Sequence, residues 1–97
     1  MTSKQRAYLR GLANTMDPVV HIGKDGITQP LVQQAWDALE ARELIKVAVM
    51  RNAPFSSTRE ACDALCEKVH AEAVQCIGSK FVLYRRAREE PHLLEGS

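Results

Sequence analysis

The stretch Val19-Val20-His21-Ile22-Gly23-Lys24-Asp25-Gly26-Ile27-Thr28-Gln29-Pro30 decides how this chain is read. Val19 to Ile22 is a short apolar run, rich in β-branched residues, with the composition of a strand. Thr28-Gln29-Pro30 opens a helix, because proline is tolerated in a first helical turn, where its missing N–H is not needed. The four residues between them form a GxxG loop. Two glycines let the backbone turn sharply and bring its N–H groups close to another surface with no Cβ in the way. The helix start behind the loop adds unpaired N–H donors and the positive end of a dipole, which suits a phosphate, and Lys24 adds a mobile charge. The same four residues also fit an ordinary strand-to-helix turn, so the neighbours must decide.

Downstream, the helix runs from about Gln29 to Arg42, with Leu31, Ala35 and Leu39 repeating at i, i+4 as a buried face. Leu44 to Met50 is the clearest strand, and alternation puts Ile45, Val47 and Val49 on one side of it. Asn52-Ala53-Pro54 breaks it. Ser57 and Glu60 stand at capping-box spacing and start a third helix whose Ala61, Leu65 and Val69 face the core. Val74 to Ile77, a Gly78-Ser79 turn and Phe81 to Arg85 make a terminal hairpin. Phe81 and Leu83 share one of its faces and Val82 and Tyr84 the other, and the pattern does not say which is covered.

Upstream, Thr2 or Ser3 caps a first helix reaching about Asn14, with Thr2 and Gln5 at capping-box spacing and Tyr8, Leu9 and Leu12 as its apolar stripe. Asp17-Pro18 starts the first strand, since the residue before a proline is pushed to extended geometry. The expected fold is therefore α/β, a single compact domain in the order α-β-α-β-α-β-β. A strand–helix–strand crossover makes the first two strands parallel, and the hairpin adds an antiparallel pair, giving a four-stranded mixed sheet. Leu9, Leu12, Val20, Leu31, Leu39, Ile45, Val47, Leu65 and Val69 are the expected core. The domain is expected over residues 1–88, followed by a flexible tail over 89–97.

Ninety-seven residues hold one modest core, and 45% apolar with 26% charged residues is the composition of an ordinary globular domain. No apolar run approaches the ~20 residues of a membrane span, and the N-terminus lacks the apolar stretch of a signal peptide, so a cytoplasmic protein is expected. Cys62, Cys66 and Cys76 are odd in number and lie in apolar contexts, which favours reduced thiols over disulfides. The net charge of +1 conceals an uneven distribution. Residues 1–36 carry Lys4, Arg6, Arg10 and Lys24 against Asp17 and Asp25, and residues 74–88 carry Lys80, Arg85, Arg86 and Arg88 with no acid. Folding can gather these two groups beside the GxxG loop as one positive path; the alternative is a set of solvated side chains with no common surface.

Several segments together carry a family resemblance. They are Lys4-Gln5-Arg6, Tyr8 to Ala13, Val19 to Thr28, Leu44 to Val47, and Ile77 to Arg85. In consistent order and spacing over roughly residues 3–86, they resemble the CRM domain, named for chloroplast RNA splicing and ribosome maturation, in its free-standing bacterial YhbY form. The resemblance implies a fold similar to the C-terminal domain of translation initiation factor three. It also implies RNA as the partner, in particular ribosomal RNA in precursors of the large subunit, with the chain acting as an assembly factor. Gly23, Lys24, Asp25 and Gly26 correspond to the family's GxxG loop, the device by which KH-type modules clamp the backbone of single-stranded nucleic acid. The acidic tail, with Glu89, Glu90 and Glu95, departs from relatives whose tails stay basic. The expected RNA-binding set is Gly23, Lys24, Asp25 and Gly26 with Lys4, Arg6, Arg10, Lys80, Arg85 and Arg86.

Other chemistries find little in the sequence. Cys62, Cys66, His70 and Cys76 suggest a metal, but residues 62 and 70 of one helix lie ~12 Å apart, whereas zinc ligands sit about 2.0–2.3 Å from the ion. No metal, cofactor or small-molecule substrate is expected. No nucleophile–base pair is suggested, Ser56-Ser57-Thr58 being accounted for by capping, so no catalytic residue is expected and the chain reads as a non-enzyme. His21 fits either a phosphate contact or cover for the sheet. Trp36, four residues after Val32, fits partial core burial better than base stacking. One Trp, two Tyr and two Phe are too few for a broad stacking platform, so backbone clamping and charge should dominate. The alternative function is a protein-interaction module on the ribosome or its assembly machinery, with the loop serving only as a turn. Steep weakening with salt marks the RNA reading, and its absence the other.

Overall fold

Seven elements follow one another as α1 (Ser3–Ala13), β1 (Val20–Ile22), α2 (Gln29–Arg42), β2 (Leu44–Val49), α3 (Thr58–Val69), β3 (Glu72–Ile77) and β4 (Lys80–Tyr84). They belong to a computed structural model that describes residues 1–86; Arg88 and the tail expected over 89–97 lie outside the described residues. The element order and the mixed four-stranded sheet are those expected. β1 begins at Val20, and the Val19 N–H still reaches Lys46 O at 2.9 Å. β3 starts two residues before Val74, because a bulge between Ala73 and Gln75 lets Glu72 and Ala73 pair with Tyr84 and Leu83.

The strands lie in the order β1-β2-β4-β3. β1 and β2 are parallel, and β4 is antiparallel to both β2 and β3, so β1, β2 and β3 all run towards one end of the sheet. Alternation then gives each face its partner. Val20, Ile22, Ile45, Val47, Phe81 and Leu83 meet Ala35, Leu39, Leu65 and Val69 of α2 and α3. On the opposite face, Leu9 and Ala13 of α1 pack on Leu44, Val74, Val82 and Tyr84. Each side of the terminal hairpin therefore packs on a different helix, α2 and α3 on one side and α1 on the other. Of the expected core, Leu12 and Leu31 are half-buried at its margin and the other seven are fully buried.

Helix starts are set by side chains that accept otherwise unpaired N–H groups. Thr2 and Gln5 make the reciprocal box at α1, and Thr28 Oγ1 accepts from Leu31 N at α2. At α3, Ser57 Oγ accepts from Glu60 N at 3.1 Å, but the Glu60 carboxylate turns to the Ser56 hydroxyl at 2.7 Å. The expected box there is half-formed. The competing hydroxyl of Ser56 is the reason.

Cys62 and Cys66 stand one turn apart on α3, and Cys76 faces the same core from β3. His70, with a left-handed φ of 56°, stands edge-on to Trp36 with ring centroids 6.2 Å apart. The hydrogen bond with Cys66, together with burial, pushes the Cys62 thiol up. Burial likewise raises the Tyr84 phenol. Each group keeps its proton in the folded chain where the unfolded chain would release it. The same hydrogen bond lowers the Cys66 thiol, so the two thiols act in opposite directions on stability and Tyr84 sets the trend. Stability from Tyr84 is complete below its ordinary value of 10.0 and declines as the pH rises past it. Thermal melts across the alkaline range should show a falling midpoint, and Tyr84→Phe should make that fall shallower.

Candidate nucleic-acid interface

The end of the sheet towards which β1 and β2 run collects the GxxG loop, the segment after Val49, the Gly78-Ser79 turn and the starts of α2 and α3. In α/β folds this carboxyl edge of parallel strands is where ligands bind. The loop itself is a tight turn closed by Gly26 N donating to Gly23 O at 3.0 Å. Lys24 and Asp25 form its exposed crest. The two glycines are not equivalent. Gly26 is buried with φ 71°, and a Cβ placed on it would lie 3.1 Å from Pro54 Cγ, so the fold itself requires glycine there. Gly23 has no positive φ, and a Cβ there would meet nothing within 4 Å.

The edge is held in place from behind. Met50 N donates to Ile22 O at 2.9 Å and Val49 N to Ser79 O at 2.7 Å. Thr58 Oγ1 donates to Gly78 O at 2.7 Å, tying the start of α3 to the hairpin turn. The loop, both helix starts and the turn thus form one connected rim. The Gly26 N–H is used in closing the turn, between the exposed residues Lys24 and Asp25 and the start of α2.

The basic residues expected around this rim divide. Lys80 opens β4 at the rim, one strand away from Ala48 at the end of β2. Arg10 is exposed on α1, about one turn before Asn14. Arg6 is held inside the fold, its Nη1 donating to Ala73 O and, at 3.3 Å, to Val74 O at the bulge of β3. Lys4 is exposed in the first turn of α1, near the beginning of β3, where the N-terminal ammonium lies 4.0 Å from Glu72. Arg85 and Arg86 follow the last residue of β4 and so lie at the far end, beyond a strand about 13 Å long. Arg85 also turns inward. Its Nη1 donates to Val69 O at 2.9 Å, its Nη2 pairs with Glu40 at 3.0 Å, and its guanidinium lies 4.1 Å over the Trp36 ring.

Of the two basic groups, Arg6 and Arg85 are therefore turned into the fold and Arg86 stands at the far end, while Arg10 and Lys80 remain exposed. Arginines beside buried strand ends bind the carbonyls, carboxylate and ring that those ends present. Lys46 and Arg51 are the cations near the rim that the charge count overlooked. Alternation with Ile45 and Val47 does mark Lys46 as lying on the α1 side of β2, and Arg51 follows directly on that strand's end.

A small domain with α2 and α3 on one face of a β1-β2-β4-β3 sheet, α1 on the other and a GxxG turn entering α2 defines a distinct class of α/β module. The chain belongs to the CRS1/YhbY (CRM) domain family, whose pattern matches residues 1–85. It is 36% identical over 93 residues to the probable RNA-binding protein YqeI of Bacillus subtilis, covering 96% of each chain. Over 89 residues it is 36% identical to an RNA-binding protein of Haemophilus influenzae, covering 92% of this chain and 89% of that one. The solution structure of the hypothetical protein SAV1595 from Staphylococcus aureus superposes with a TM-score of 0.77 at 46% identity, over 93% of both chains.

Proposed function

We propose that this chain is a non-catalytic RNA-binding protein whose GxxG rim faces the phosphates. We further propose that its RNA is ribosomal, in precursors of the large subunit, where it serves as an assembly factor in the cytoplasm. Residues 1–88 act as the binding domain in this reading. The relatives named as RNA-binding proteins support the class of partner, and the family's link to ribosome maturation supports the particular RNA. The observation that carries the role of the rim is Gly23. The fold has no steric or conformational need for glycine there, whereas a sugar-phosphate backbone brought against the turn does. The amides of Lys24 and Asp25, the Lys24 ammonium and the positive end of α2 then converge on one anion.

Replacing Lys24 by aspartate puts two carboxylates side by side on the crest and keeps both glycines. Lys24 is exposed, so the melting temperature should stay within about a degree or two of wild type. Co-sedimentation with large-subunit precursor particles should fall about tenfold or more, a lost contact and a new repulsion acting together. Equal sedimentation at equal stability would remove the loop from the mechanism and favour a protein partner on the particle. No helix among the described residues is long and apolar enough to cross a membrane.

A further inference from the structure

The helix α1 covers only part of its face of the sheet. Its buried contacts, Leu9 and Ala13, sit on Leu44, Val74, Val82 and Tyr84, and the helix stops at Ala13. The row nearest the rim is left open. Pairing places His21, Ala48, Lys80 and Ile77 side by side across all four strands, in the order β1, β2, β4, β3. Behind them, Lys46, Val82 and Gln75 form a second row. His21 and Lys80 are exposed, and Ile77 is 66% exposed although it is apolar.

Two clefts lie over these rows, one of about 600 Å³ reaching from His21 to Arg51 and the start of α3, the other of about 210 Å³ between Asn14 and Lys46. They meet at Lys80, which lines both. No residue lining either cleft is acidic, while Lys46, Arg51 and Lys80 are basic and His21 adds a ring donor. None of these four takes part in an ion pair among the described residues. A surface with cations on its borders, an amide at Gln75 and an exposed apolar side chain at Ile77, with Ala48 two strands away in the same row, is complementary to a polyanion that also carries flat apolar groups.

We infer that the open half of this sheet face is a second RNA-binding surface, taking single-stranded RNA that continues from the GxxG rim, with Lys46, Lys80 and Arg51 on phosphates and bases against Ala48 and Ile77. This inference rests on the RNA-binding reading above and extends it. Single-stranded rather than duplex RNA fits because the exposed Ile77 side chain can be used only by bases freed from pairing. The rim and the face share Lys80, so a strand passes from one to the other without leaving positive surface.

Fluorescence anisotropy with a labelled, unstructured uridine-rich RNA oligomer tests this, with a hairpin RNA of the same length beside it. The double variant Lys46→Gln, Lys80→Gln should bind the oligomer about tenfold more weakly, with the slope of log affinity against log salt reduced by about 1.4, two single-strand phosphate contacts being lost. Ile77→Glu, which needs no change in the core, should weaken binding as well, and Arg42→Gln, at the far end of α2, should not. A double variant that binds as wild type while Lys24→Asp is weak would overturn this inference and leave the rim intact. A weaker double variant with an unchanged slope, or one that loses hairpin affinity equally, would overturn it too. Wild type that binds neither RNA would overturn this inference, while co-sedimentation with large-subunit precursor particles decides the RNA reading itself.

Discussion

Arg85→Ala should destabilise the domain by about 3 kcal/mol, more than any other substitution of a charged residue argued from this structure. The guanidinium closes the joint between α2, α3 and the end of β4. It donates to Val69 O at the end of α3, pairs with Glu40 of α2 and stacks on Trp36, while its side chain is only 12% exposed. Its removal leaves a helix-end carbonyl without its donor and Glu40 without this counter-ion in a part-buried place, and it takes the cation from the indole face. Arg85→Lys should recover little, because an ammonium cannot serve the carbonyl, the carboxylate and the ring from one plane. Denaturant melts measure the loss. At a temperature where both variants remain folded, RNA affinity and its salt slope should match wild type, which separates a residue that holds the fold from one that holds a phosphate. A reduced salt slope in the folded variant would return Arg85 to the RNA interface.

Gly26→Val should cost about 3 kcal/mol, and Gly23→Val close to nothing, although the two glycines look alike in sequence. At Gly26 a β-branched side chain would have to adopt φ 71°, which costs L residues about 1–3 kcal/mol. Its Cβ would also press on Pro54, 3.1 Å away, in the segment that backs the turn. At Gly23 the backbone is ordinary and the space is open. Paired melts read the stability difference directly. The same two variants separate fold from function: Gly23→Val should keep its melting temperature and bind RNA several-fold more weakly, because the isopropyl group stands where the phosphate backbone approaches. Full affinity in Gly23→Val would mean that the first glycine is not approached at all.

The sequence carries α2 well, since Thr28, Pro30 and the Leu31, Ala35, Leu39 repeat each act within one helix, and its bounds at Gln29 and Arg42 are those observed. β2 is equally plain from its alternation. What local pattern cannot carry is the outcome of packing between distant elements. Arg85 meets Trp36 across 49 positions of chain only because β4 enters the sheet between β2 and β3. Arg6 reads as a solvated cation on an amphipathic helix until the bulge of β3 presents it with two carbonyls. Lys46 has the same spacing whether α1 covers its whole face or half of it, so its exposure to a ligand is set by where that helix crosses. Gly23 and Gly26 differ only in a turn conformation that a GxxG pattern does not encode.

The place of β4 bears on how the chain folds. β4, which follows the other described strands in the chain, occupies an interior position between β2 and β3, and its Val82 and Tyr84 complete the surface on which α1 rests. Until the polypeptide has been made past Tyr84, β2 has a bare edge, β3 has no neighbour and the first helix lacks half of its platform. The β1–α2–β2 portion has an unpaired edge until then, and closure brings together residues 32 to 40 positions apart. Completion of the sheet therefore waits for β4, and folding should be slow relative to helical proteins of the same length because the central contacts are non-local. In the interval the unpaired edge of β2 is the part of the nascent chain most exposed to aggregation.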